Sequence, residues 1–367
     1  MNPALQKTIA FLLLILAGYL LQNKIKAKDE LKGVKVLILS IILPATIFVA
    51  LLRVEVSSSM LLLPVLALVL NAALYFASRF ALPRLGFARD TPQFRTMLLL
   101  VPSLAPGLSA LPFVLEYLGD AELALAALAD VGNKVFVLII LYMVAMNWYY
   151  QSRGAEAEVP DRRGKVKELG LMLLSEPVNL IIVLAAILIT LGIGLDSLPV
   201  FLGDTVDRLA AMMTPIVLLF IGMAVNFKRR QMARIVRVLC FRSVVGLLLS
   251  AALVAGMGLS GSLALLSVVF AQCAVSFWPF AHMSAVATLS GGESARGVFD
   301  LDLGLNVLAC SLPFSTVTIL TVLSFGDRFA SPFAMLAASA VIGLYPVLYF
   351  LRPLLRTYRS KWEEARA

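Results

Sequence analysis

The chain has 367 residues, of which 60% are hydrophobic and 14% charged, with a formal net charge of +9. Soluble domains sit nearer half apolar and a quarter charged, and apolar runs of about 20 residues, enough to span a bilayer, recur throughout. The composition excludes an ordinary soluble domain and points to an all-α polytopic membrane protein.

Eleven helical spans are expected, at roughly 5-21, 34-54, 60-82, 95-118, 122-150, 174-195, 206-226, 237-257, 262-289, 296-325 and 331-353. The first run, Thr8 to Leu21, could pass for a signal peptide. It lacks a small-residue cleavage site before a polar chain, so it reads as a retained helix. The second span carries Pro44. The fourth contains "LVPSLAPGLSALPF", with Pro102, Pro106, Gly107 and Pro112. Each interior proline removes a helix hydrogen bond and clashes with the preceding turn, so this span is expected to be broken. The fifth holds Asp130, Asn133 and Lys134. Asp130 and Lys134 are four residues apart, share a helix face and can pair. Lys134 either neutralises Asp130 or meets an anion or proton. A charged linker, 151-173, separates the two halves.

The seventh span matches the second when Pro44 is set on Pro215, an offset of 171; an offset of 172 sets Asp130 on Asp302. Two halves of five helices each are inverted relative to one another, a common plan for secondary transporters. The ninth span mirrors the fourth and carries Gln272, Ser276, Pro279 and His282. Broken helices free backbone groups at membrane depth where protein or water covers them. The candidate substrate site is therefore the crossing of spans 4 and 9, with Ser103, Pro106, Gly107, Ser109, Gln272, Ser276 and Pro279. Candidate residues for a coupling ion are Asp130, Asn133, Lys134, Asp302 and Asn306. The lone His282 reads as a hydrogen-bonded helix residue. The units are 1-150, the linker 151-173, the second repeat 174-326, and 327-367, an extra span with a basic tail.

Of the 31 basic residues, all but Lys7, Arg53, Lys134, Arg208 and Arg328 fall in loops on one side. Cytoplasmic loops retain positive charge, which gives an N-terminus outside and a C-terminus in the cytoplasm. The net charge is thus topological, and no folded basic face for nucleic acid is seen. Cys240, Cys273 and Cys310 have no metal spacing. "GMGLSG", Gly256 to Gly261, follows no strand and is not a dinucleotide fingerprint.

Three stretches carry a family resemblance: "LLLILAGYLL…LSIILPATIF", "ALPFVLEYLGDAELALAALADVGNKVFVL" and "SAVATLSGGESARGVFDLDLGLNVLACSLPF". Across about 1-325 the chain resembles the auxin efflux carrier family, within the bile acid, auxin and arsenite transporter superfamily. The resemblance implies a scaffold of spans 1, 2, 6 and 7 and a transport unit around crossing spans 4 and 9. It also implies organic anions as substrates. The plant members' asparagine beside the crossing proline is missing near Pro106, and the eleventh span exceeds the usual ten. The expected function is a secondary transporter of a small organic carboxylate in a bacterial inner membrane. A sodium-coupled bile-acid-type symporter and a transporter-like sensor are the alternatives. A membrane enzyme lacks a nucleophile–base set. No cofactor is expected, Na+ or H+ coupling stays open, and the scaffold helices could pair two copies.

Overall fold

The computed structural model describes residues 3–22, 24, 28–53, 60, 62–153, 162–224, 232–289 and 297–364. Its regular structure is helical throughout those residues. In chain order the helices are α1 (Pro3–Leu21), α2 (Lys28–Leu37), α3 (Leu43–Leu52), α4 (Leu62–Ala81), α5 (Pro92–Leu100), α6 (Pro106–Ser109) and α7 (Leu111–Tyr117). They continue with α8 (Asp120–Val135), α9 (Leu141–Arg153), α10 (Arg162–Ser175), α11 (Pro177–Thr190), α12 (Val200–Ala211) and α13 (Met213–Ala224). The last are α14 (Met232–Met257), α15 (Gly261–Ala271), α16 (Trp278–Leu289), α17 (Leu301–Phe325) and α18 (Pro332–Glu364). Two π-helical turns, Ile38–Ile42 and Phe136–Ile140, join α2 to α3 and α8 to α9.

Among the described residues, seven continuous helical stretches are long and apolar enough to cross a membrane, and an eighth counts if α10 and α11, bent by 65°, form one span. This suits an integral membrane protein. Four of the eleven expected spans do not reach that length as one helix; the sixth holds only α11, 14 residues long. The apolar part of α1, Gln6–Leu21, is short. The fourth and ninth expected spans are each broken. Within the expected linker region lies much of α10 (Arg162–Ser175); 154–161 lies outside the described residues.

The breaks have local causes. Thr91 caps α5, accepting from the Phe94 amide at 3.2 Å, and Pro92 fits the first turn. Pro102 then removes a donor and crowds the carbonyl of Leu98, so α5 stops at Leu100. Pro106 and Pro112 start α6 and α7. In the ninth span α15 stops at Ala271, and Pro279 sits in the first turn of α16. The prolines therefore begin helices, and the unwound residues, 101–105 and 272–277, lie just upstream of Pro106 and Pro279.

Small residues let the helices meet closely, as in other membrane bundles. On the α1–α13 seam a Cβ at Gly18 would lie 2.1 Å from the Leu219 carbonyl oxygen, and one at Gly222 2.0 Å from that of Ile15. At the α4–α8 seam Gly132 meets the backbone of Pro64 in the same way. Helix α3 packs on α11 and α12, and α14 packs on α15, α17 and α18. The eleventh expected span is thus seated on α14, where the Arg237 guanidinium stacks on the Tyr349 ring. Contacts define two ends. Lys7, Arg53, Tyr117, Asp120, Asp207 and Ser324 cluster at one. At the other, Gln22 meets Met223, Gln93 meets Asp300 and Arg237 meets Leu85.

Candidate functional site: a cavity at the crossing of two broken helices

The two unwound segments touch. The Ala105 amide donates to the Ala274 carbonyl at 2.8 Å. The Ser276 amide donates to the Ser103 hydroxyl at 3.0 Å, and the Ala274 amide to the Ser109 hydroxyl at 2.9 Å. A buried amide without a partner costs free energy on the scale of a lost hydrogen bond, so these serines are structural parts of the crossing.

The freed carbonyls are satisfied as well. Arg242 on α14 is buried and donates from Nε to the Val101 carbonyl at 2.8 Å and from Nη2 to the Ser103 carbonyl at 3.1 Å. Asn133 on α8 clamps Leu104 from both sides: its Nδ2 donates to the carbonyl at 2.9 Å, and its Oδ1 accepts from the amide at 3.2 Å. Asn71 on α4 donates to the same Oδ1 at 2.8 Å. Ser315 donates to the Gln272 carbonyl. The expectation that free backbone groups would bind substrate is therefore corrected for these carbonyls, which protein side chains already hold.

Beside the crossing lies a cavity of about 310 Å³, inside the size range of small-molecule sites. Its lining includes Pro106, Gly107, Ser276, Asp130, Asn133 and Lys134 among the expected site residues. Ser103, Ser109, Gln272 and Pro279 are buried beside it and are not on its wall. Gln272 is held by Ser243, accepting its hydroxyl proton at 2.6 Å and donating to its carbonyl at 3.1 Å. Asp302 is exposed in the first turn of α17, and Asn306 lies one turn further on; neither lines the cavity. The 172 offset thus aligned Asp302 with Asp130 in sequence without giving it a matching place. His282 bonds to the Val137 carbonyl at 2.9 Å, as a helix residue would.

Lys134 meets Asp130 at 3.4 Å and is in hydrogen-bond contact with Glu176, the residue at the start of α11. The expected pair is therefore a triad, one ammonium between two carboxylates, and it joins the two halves of the chain. The Asp130 carboxylate also accepts from Asn133 at 2.8 Å. Asn133 is thereby committed to Asp130, Leu104 and Asn71 and is not free to ligate a cation.

Lys35 on α2 also lines the cavity, and sequence reasoning missed it. It was counted among the basic loop residues that set orientation. Among the described residues its ammonium makes no hydrogen bond and no ion pair; it lies over the Phe277 ring, 4.4 Å from the centroid. The signal was present in "KGVKVLILSIIL", where Lys35 is the last charge before a long charge-free, mostly apolar run. Arg237 and Arg242 were assigned to the same class and are buried within α14. Each π-helical turn also faces the cavity, contributing Leu39 and Val137, in keeping with the frequent placement of such turns at functional sites. Formal charges on the wall balance, yet Lys134 is engaged by two carboxylates while Lys35 is open. Phe220, Phe277 and Trp278 supply aromatic walls. The arrangement can hold a small anion whose body is apolar.

Compared with known proteins, the chain matches no family model and no curated protein sequence.

Proposed function

We propose that the chain is a secondary transporter of a small organic carboxylate, built as two inverted five-helix repeats with an added eleventh span. The observation that carries this reading is Lys35, a cation with no anionic partner among the described residues, on the wall of a cavity where two broken helices cross. Charged groups at membrane depth are costly and mark substrate or ion paths. Reciprocal packing supports the repeat: α1 of the first half lies on α13 of the second, and α3 on α11. So does the near-equal spacing of the two breaks, since α5 ends at Leu100 and α15 at Ala271. The resemblance to auxin efflux carriers supports the substrate class and the division into scaffold and transport unit. The excess of Lys and Arg at one end supports a cytoplasmic face there.

The test is binding to the purified protein by a panel of labelled mono- and dicarboxylates. A hydrogen bond to a charged group is worth about 1.5–3 kcal/mol. Lys35→Met should therefore weaken the best binder by roughly tenfold to a hundredfold while leaving thermal unfolding unchanged. Equal binding by the parent and Lys35→Met would remove the main support for this site.

A further inference from the structure

Among the described residues, a set of polar ties crosses one end of the molecule. At the end that carries few basic residues, Arg53 closes α3 and forks between two carboxylates. Nη1 meets Asp120, the first residue of α8, at 2.9 Å; Nη2 meets Asp207 on α12 at 3.1 Å. Lys7 on α1 donates to the Glu116 carbonyl on α7, lies 3.9 Å from the Glu116 carboxylate, and sits 5.2 Å from the centroid of the Tyr117 ring. The Thr8 hydroxyl is 2.7 Å from both the Tyr117 hydroxyl and the Ser324 hydroxyl of α17. Beneath these, the buried Phe11 packs on Phe113 and Tyr117 with ring centroids 6.1 and 5.7 Å apart. Apart from Arg53–Asp207, which joins α3 to α12, each tie joins α1 or α3 to α7, α8 or α17. The cavity lies toward the opposite, basic end: on its wall are Lys35, 18 residues before Arg53 along α2 and α3, and Glu176 at the start of α11.

We propose that Arg53, Lys7 and Thr8 form a clamp that shuts the far end of the cavity, so that this conformation admits solutes only from the basic end. Opening to the other side requires these ties to break together. The chemistry suits a reversible clamp. Exposed ion pairs are individually weak, so several small contacts add to a closed preference that thermal motion can still overcome. The Lys134–Glu176 contact lies on the cavity wall itself and is a different kind of tie. This inference rests on the transport reading for its purpose, while its geometry is tested without any substrate.

The test uses the full chain in oriented membrane vesicles and a charged, membrane-impermeant thiol reagent. Leu312→Cys and, separately, Leu39→Cys report on the cavity, each measured as labelling above that of the parent with its three native cysteines. Gly164→Cys marks the basic face and Ser197→Cys the far face. The reporters should label from the basic face and be at least tenfold slower from the far face. Adding Arg53→Gln with Lys7→Gln should raise far-face labelling by roughly fivefold, the summed effect of a few weak pairs. Arg53→Lys, which cannot fork, should give an intermediate rise. A Thr8→Cys/Ser324→Cys bridge should cancel the rise when oxidised and restore it when reduced. Equal labelling of the parent from both faces, or an unchanged far-face rate in the Gln variants with a normal gel-filtration profile, would overturn the clamp. If the Gln variants aggregate, the bridge decides alone: failure to slow far-face labelling in the otherwise native chain overturns the clamp, and slowing supports it. Transport fails separately: labelling that behaves as expected without carboxylate binding sinks the carrier reading and leaves the clamp standing.

Discussion

Lys134 shows how one residue's neighbours decide what its removal costs. Its side chain is 10% exposed, and it holds Asp130 and Glu176 at once. Lys134→Met would leave two carboxylates facing each other without a cation. Breaking a buried ion pair from one side costs about 3–5 kcal/mol, and thermal unfolding should show a loss of that size. Asp130→Asn with Lys134→Met still leaves Glu176 unpaired and should recover only part of it. Adding Glu176→Gln should restore most of the stability, since a neutral set carries no buried charge. A triple variant as unstable as Lys134→Met would show that the triad serves packing through some other contact. The pair itself was legible in the sequence because its two members are one helical turn apart. Glu176 was not, because it arrives from another helix 42 residues further along. Lys35 was misread for a related reason. The charge rule for membrane loops counts lysines and cannot tell which of them folds back over a cavity.

At the level of helices, the breaks were legible because proline acts locally, on its own amide and the turn before it. What closes the breaks was not legible. Arg242 reaches Val101 across 141 residues, and Ser276 reaches Ser103 across 173. No local pattern announces such partners, and the expectation of free backbone groups failed on that point. The consequence for Pro106→Ala with Gly107→Ala is direct. A methyl group at Gly107 would lie 2.9 Å from the Leu43 Cδ2 atom, and a helix continued through 105 would draw the Ala105 amide away from Ala274. Better intrinsic propensity, about 1 kcal/mol for glycine alone, is set against the loss of the crossing bonds. The double variant should therefore unfold at a lower temperature than the parent. A rise in melting temperature would mean that the crossing bonds contribute little and that the break is only a kink.

At the scale of the molecule, the two halves meet where an ammonium with no anionic partner among the described residues, aromatic walls and the crossing of two broken helices share one cavity, with a set of weak ties at one end. The inverted order of the halves was suggested by proline spacing and helix number, and the reciprocal packing of α1 on α13 and α3 on α11 fits it. The C-terminal α18 lies against α14, the helix whose Arg242 holds the crossing, which gives the last of the expected spans a place that composition alone could not. The central claim is that this cavity carries an organic anion across the membrane through Lys35. It is tested most directly by counterflow: liposomes preloaded with an unlabelled carboxylate and holding either the parent or Lys35→Met take up the same carboxylate in labelled form. The account predicts that benzoate, phenylacetate, malate or succinate is exchanged by the parent well above empty liposomes, and that Lys35→Met, equally folded, loses that exchange. Flux that is the same with and without the Lys35 ammonium, or none for any of these anions, would contradict it.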